Sequence, residues 1–531
     1  MRLIVTALLW ILLALPSAAA SLEELIAKLP DGSFTDRAEV VAEIAATGDP
    51  RAAAVLSALG DGELAAQKAD GALVRVVGRG ASATAYDPLT GTEIGPVASR
   101  STDAVKVNNS LRRTIRSALA TLTLMNPDPA QRLAAAGEAF RNPDPEQLEA
   151  LGAALAKETD ARVKAALADA QAAATLGSDA ASEARVAAVG VVGTHGGSDA
   201  LKLLTQMQTD KDPAVAEAAK SAVAEIERSQ EMWALAQNLW FGLSLGSVLL
   251  LAAVGLAITF GVMGVINMAH GELIMIGAYT TFVTQELIRT HAPQLFDWSL
   301  AIAAPLAFLV AGGIGVAIER GIVRFLYGRP LETLLATWGV SLILQQLVRT
   351  FFGPSNREVG NPGWMSGSFQ LGEMLVTWNR FYIIIFALLV FAGLQLLLKR
   401  SLFGLQMRAV TQNRPMASEM GIRTARVDAL TFGLGAGIAG LAGVALSQID
   451  NVSPNLGQGY IIDSFLVVVF GGAGNLWGTF AAAFSLGIAN KFLEPFAGAV
   501  LGKILILVFI ILFIQKRPRG LFPQRGRAVE A

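Results

Sequence analysis

From Leu235 onward the chain is almost continuously apolar, in blocks of about twenty residues. Blocks of that length match the ~30 Å hydrocarbon core of a bilayer at the 1.5 Å rise of a helix. In lipid every backbone N–H and C=O needs a partner within the protein, so such blocks fold as helices. They run at about 235–264, 268–288, 299–325, 331–352, 380–398, 428–448, a paired or broken 461–490, and 499–515. The fold class expected for 235–518 is therefore an all-α, polytopic inner-membrane bundle of about 8–10 spans with broken helices.

Residues 21–232 are different: Ala-rich, charged and soluble in character. From Asn126 short amphipathic runs are separated by Asn-Pro, Asp-Pro or Gly. Each opens on Asp, Asn or Ser, which cap helices, and carries Ala, Leu or Val at i, i+3, i+4. The phrases TDARVKAALADA, SEARVAAVGVVG and DPAVAEAAKSAV share a repeat character. This suggests a HEAT-like α-helical domain, with a generic helical bundle as the alternative. A solenoid normally presents a binding surface. Within it, 72–107 reads as a small β-hairpin insertion.

Residues 1–20 read as a secretory signal: Arg2, an apolar Leu3–Leu15, Pro16, then Ala18-Ala19-Ala20. An uncleaved anchor is the alternative, and either would place 21–232 outside a bacterial inner membrane, in the periplasm. Charge supports that orientation. Counting spans from an external residue 234 puts 399–427 inside, with Lys399, Arg400, Arg408, Arg414, Arg423 and Arg426. It also puts Arg320, Arg324 and Arg329 inside, and the basic tail 519–531. The tail is inside only if 461–490 crosses twice or re-enters, turning at Gly471-Gly472-Ala473-Gly474-Asn475.

Much chemistry is excluded. There is no cysteine and only three histidines, widely spaced, so disulfides are impossible and a metal site is not expected. No nucleophile–base pair or paired-carboxylate site stands out, so no catalytic residue is assigned. GxxxxGK[ST] is missing, so the chain is no ATPase of that kind and no bound cofactor is expected. A net charge of -1 without an aromatic-interleaved basic patch gives no sign of nucleic-acid binding.

Polar interruptions in the apolar half carry the functional signal. The longest, LKRSLFGLQMRAVTQNRPMASEMGIRTARV (398–427), is a basic cytoplasmic docking loop, or an ordinary positive-inside loop. A second places Asn267, His270 and Glu272 in GVMGVINMAHGELIMIGAY. The span count sets these near the cytoplasmic interface, where a polar turn costs little. A third holds Gly471, Gly472, Gly474 and Asn475 in FGGAGNLWGT. Interrupted helices in two places can offer backbone and side-chain groups to a small polar substrate. Gly433 and Gly437 stand in a GxxxG relation that signals helix packing.

These same segments resemble the branched-chain amino acid and urea permeases of ABC transporters. MRAVTQNRPMASEMGI is similar to the family's coupling loop. INMAHGELIMIGAY, LATWGVSLILQQLVRTFFG and FLVVVFGGAGNLWGTFAAA match further segments in order, covering about 235–520. The resemblance implies that Arg408, Ala417, Ser418, Glu419, Met420 and Gly421 couple to an ATPase. It implies two cytoplasmic ATPase subunits, which use the ATP, a second homologous permease, a periplasmic solute-binding protein, and surrounding membrane lipid. The long N-terminal extension looks like the urea branch, so urea is the expected solute. A branched-chain amino acid or short amide is the alternative.

Two other classes stay open. A secondary transporter or channel would need no ATPase, but intramembrane carboxylates for ion coupling are few: Glu272, Glu319 and Asp463. A membrane-anchored scaffold would need only one or two spans.

Overall fold

The computed structural model describes residues 21–522, apart from 70, 79–82 and 98–100. The segment 1–20, expected to be a signal peptide, and the tail from 523 lie outside the described residues. The chain divides into two compact units, Met1–Ser229 and Gln230–Ala531.

The first unit begins with α1 (Leu22–Ala27), α2 (Phe34–Ala46) and α3 (Pro50–Gly60). Ser21 and Ser33 open α1 and α2 with reciprocal capping boxes to Glu24 and Asp36. A five-stranded antiparallel sheet follows: β1 (Leu64–Gln67), β2 (Leu73–Val77), β3 (Thr84–Tyr86), β4 (Glu93–Pro96) and β5 (Thr102–Ala104), in the order β4-β3-β2-β1-β5. The expected hairpin is thus too small. Leu64-Ala65-Ala66-Gln67 has no strand signature of its own, and is recruited by pairing on both sides with β2 and β5.

Helices α4 (Asn109–Leu124), α5 (Pro129–Arg141), α6 (Leu148–Lys157), α7 (Ala161–Leu176), α8 (Ser182–His195) and α9 (Gly197–Met207) complete this unit. Their small apolar residues form one core, including Ala136, Leu151, Leu167, Ala170, Val192 and Leu204. A repeated device holds neighbours together. Arg132 on α5 donates to the Asn126 carbonyl and forks onto Glu158 at 2.6 and 3.0 Å. Arg185 on α8 donates to the Leu176 carbonyl and forks onto Asp210 at 2.5 and 3.1 Å.

Helix α10 (Pro213–Met263) continues into the second unit. There follow α11 (His270–His291), α12 (Ser299–Gly321), α13 (Pro330–Phe352), a hairpin of β6 (Ser368–Leu371) and β7 (Met374–Thr377), and α14 (Trp378–Arg400). Two short helices, α15 (Leu402–Gln412) and α16 (Arg414–Glu419), precede α17 (Thr424–Leu446), α18 (Leu456–Gly471) and α19 (Leu476–Lys516). Among the described residues, 6 helices are long and apolar enough to cross a membrane: α10, α12, α13, α14, α17 and α19. Helix α18 has 16 residues, ~24 Å, too short to cross by itself. Helix α19 breaks at Gly498 (φ 76°, ψ 162°) into two arms, 476–497 and 499–516. The fold is mostly helical and polytopic, as the hydropathy pattern requires.

Glycine contacts hold the bundle. A Cβ on Gly255 would lie 2.4 Å from the Gly435 carbonyl oxygen, and one on Gly440 2.6 Å from that of Ala307. Gly433 meets the Gly312 backbone, so the GxxxG face of α17 packs on α12. Lipid supplies no hydrophobic drive between helices, and close backbone approach takes its place.

Candidate translocation and coupling sites

The first site is the break between α10 and α11. Gly264 (φ 68°) turns the chain out of α10. Residues 264–269 then fold back along it, because the His270 Nε2 lies 2.8 Å from the Ala252 carbonyl oxygen. Ala252 precedes the end of α10 by three helical turns, or ~16 Å. The span count expects Asn267–Glu272 near the cytoplasmic interface; in the structure these residues are buried among the helices. Asn267 and His270 have 0% exposure and Glu272 2%. Hydropathy shows where a helix is interrupted, not that the interruption climbs back between helices.

Each side chain here has a definite setting. Asn267 Oδ1 accepts from the Ala269 N–H at 3.0 Å. The Met268 N–H donates to Thr337 Oγ1 at 3.1 Å. Gln345 Nε2 donates to Glu272 Oε1 at 2.5 Å. Asn267 Nδ2, His270 Nδ1 and the Tyr279 hydroxyl are buried with no partner in the protein. Unpaired buried polar atoms cost ~1–3 kcal/mol each, so Asn267 and His270, three residues apart at the break, are unusual for a purely structural core. Thr337 and Gln345 complete the site. The sequence reading missed them, although a buried Gln in an apolar span is a usable signal.

The second break is built differently. Helix α18 ends at Gly471, and Gly472 (φ 101°) and Gly474 (φ 85°) turn the chain into α19. Asn475 caps α19: its Oδ1 accepts from Trp477 and Gly478 N–H at 3.1 and 3.2 Å, and its Nδ2 donates to the Phe522 carbonyl at 3.3 Å. Leu521 and Phe522 N–H groups donate to the Phe470 and Gly471 carbonyls. This break is therefore tied to the C-terminal segment. None of these partners is shared with Asn267, His270 or Glu272.

A separate cavity of about 230 Å³ lies where α12 and α14 begin and α17 ends. It is lined by apolar and aromatic groups, among them Ala304, Trp364, Tyr382 and Phe386, with Gln448 as its amide. The Ser447 hydroxyl donates to the Val444 carbonyl, so it must accept from Gln448 Nε2 at 3.0 Å. Gln448 Oε1 is left without a partner.

The loop 399–427 consists of two capped short helices. Ser401 accepts from the Gly404 N–H and Asn413 from the Met416 N–H, both at 3.0 Å. Arg408 donates to the Leu398 carbonyl. Ala417 is buried and anchors α16, while Ser418, Glu419, Met420 and Gly421 are exposed. Met416 and Met420 are 60% and 78% exposed. Gly421 has φ 84°, which favours glycine.

A helical bundle with 6 helices long and apolar enough to cross a membrane, a buried polar break and an exposed, methionine-bearing loop has the architecture of a polytopic membrane protein. Residues 238–514 match the family described as branched-chain amino acid transport system, permease component, and the chain belongs to that family of ABC-type permeases. It is a transport subunit and not an enzyme. It is 30% identical over 298 residues to the high-affinity branched-chain amino acid permease BraD of Pseudomonas aeruginosa, covering 55% of this chain and 96% of BraD. LivH of Escherichia coli is 30% identical over 301 residues, covering 55% of this chain and 97% of LivH. LivM of Salmonella typhimurium is 26% identical over 299 residues, covering 52% of this chain and 68% of LivM. No solved structure matches.

Proposed function

We propose that this chain is one permease subunit of an ATP-driven importer of a small polar solute in a bacterial inner membrane. The observation that carries the reading is the loop 399–427. Its buried Ala417 fixes a short helix whose Ser418, Glu419, Met416 and Met420 face outward, a surface suited to a cytoplasmic ATPase. Relatives bear the names of two permeases, LivH and LivM, which supports a second homologous permease beside this one. A pair of ATPase subunits and a periplasmic solute-binding protein complete the assembly, with 21–232 on the periplasmic side.

For the solute, the named relatives favour a branched-chain amino acid over urea. The apolar cavity with one free amide oxygen at Gln448 suits a solute that combines an apolar side chain with a separate N–H donor such as an amino group. Urea is the second reading. It rests on a resemblance: the relatives' nearly full length maps onto 55% of this chain, and the long N-terminal extension beyond them looks like the urea branch of the family. Uncharged groups at Asn267 and His270 also suit a neutral amide. Labelled leucine and labelled urea, taken up by cells with and without the gene, decide between them. Loss of leucine uptake alone supports the first reading, and loss of urea uptake alone the second. Unchanged uptake of both on deletion contradicts both.

A further inference from the structure

A polar cluster beneath the docking loop joins four elements. Arg414 opens α16; its guanidinium pairs with the Asp428 carboxylate on α17. It also lies over the Tyr327 ring, 4.5 Å from the centroid. Tyr327, in the connection between α12 and α13, donates its hydroxyl to Glu319 Oε1 at 3.0 Å. Glu319 sits in the last turns of α12, with Arg320 Nε 3.7 Å from its other oxygen. The side chains of Glu319 and Asp428 are 1% and 2% exposed, and that of Arg414 41%. Among the described residues, Arg414 is the one basic side chain of 399–427 that forms an ion pair.

Position and energetics both matter here. Helices α12 and α17 pack backbone to backbone at Gly312, Gly433 and Gly440, so a shift of one presses directly on the other. A buried carboxylate deprived of its cation is strongly destabilised. If α16 moves, Arg414 must either drag Asp428 and Tyr327 along or strand a buried charge. Breaking the cluster is costly, so displacement of the loop is passed to the helix pair.

We propose that Arg414, Asp428, Tyr327 and Glu319 are positioning residues that transmit movement of α16 into the α12–α17 pair and keep ATP hydrolysis coupled to solute passage. The inference rests on the reading of 399–427 as an ATPase-docking loop. None of the four need touch solute or nucleotide. Tyr327 is the most informative member, because Tyr327→Phe removes one hydroxyl and leaves the aromatic face under Arg414.

The test uses the whole complex, co-expressed with its ATPases, second permease and binding protein, in proteoliposomes. Uptake per ATP hydrolysed is measured for wild type, Tyr327→Phe, Asp428→Asn, Arg414→Asp, and the swap Arg414→Asp with Asp428→Arg. The expected result for Tyr327→Phe and Asp428→Asn is retained ATPase co-purification and basal hydrolysis, with uptake per ATP down about five-fold. The swap recovers part of what Arg414→Asp loses. A merely structural role would lower yield and melting temperature without changing uptake per ATP. Unchanged uptake per ATP in both Tyr327→Phe and Asp428→Asn overturns the proposal. If the wild-type chain fails to co-purify with any ATPase, the docking-loop reading itself falls.

Discussion

Gly277 on α11 and Gly440 on α17 meet backbone to backbone: a Cβ on Gly277 would lie 2.1 Å from the Gly440 carbonyl oxygen. That crossing sits seven residues along α11 from His270, so it sets how the polar break lies in the bundle. Gly313, on the exposed side of α12, has no heavy atom within 4 Å of its Cβ position. Gly277→Ala is expected to destabilise the membrane unit by about 1–3 kcal/mol through overpacking. Gly313→Ala should leave it unchanged. Thermal unfolding in detergent checks this, and equal melting of the two variants would refute the packing account.

Asn475 spends its side chain on the α19 cap and the Phe522 carbonyl. Asn475→Ala should therefore cost about 1 kcal/mol of stability. Abundance should fall while the apparent affinity for solute stays as in wild type and in Val468→Ala. Gln345→Ala should behave oppositely. It leaves the buried Glu272 carboxyl without its 2.5 Å partner, so uptake should drop even where abundance is kept. An affinity change in Asn475→Ala with normal abundance would return Asn475 to the pathway.

Much of this was legible because membrane helices obey one dominant rule. Six span-capable helices out of the about 8–10 expected spans, the break at 471–475 and the basic loop follow from hydropathy and charge. Depth was not legible: that His270 folds back to Ala252 depends on tertiary packing, which no local pattern encodes. The sheet was half legible, since β1 is an Ala-rich segment that becomes a strand only through its neighbours. The cluster of Glu319, Tyr327, Arg414 and Asp428 was invisible, because its members are far apart in sequence and each alone reads as an interfacial residue.

Orientation has its own test. A reporter active only in the periplasm, fused near Asp212, should be active, and the same reporter fused near Arg414 should be silent. The reverse pattern would refute the orientation and the docking role of the loop together.

The helical N-terminal unit should show an acid-sensitive joint. The Arg132 fork, with the Asp160 N–H, holds the Glu158 carboxyl at about 2, against an ordinary 4.5. A depressed carboxyl pKa stabilises the fold fully above pH 4.5, and that contribution is lost as pH falls toward 2. Glu158→Gln should lower protection of 126–176 at neutral pH and make it less pH-dependent through that window. Hydrogen exchange corrected for intrinsic rates measures it. An equally steep acid dependence in Glu158→Gln would contradict the assignment.

The most direct test is solute accumulation by the reconstituted complex with ATP or with a non-hydrolysable analogue, for wild type and Gly421→Asp. Gly421 stands exposed at φ 84° beside Glu419 and Met420, so the variant should insert normally but present a misshapen docking surface. The account predicts accumulation by wild type only with hydrolysable ATP, and none by Gly421→Asp. Equal uptake without ATP, or normal ATP-driven uptake by Gly421→Asp, would contradict it.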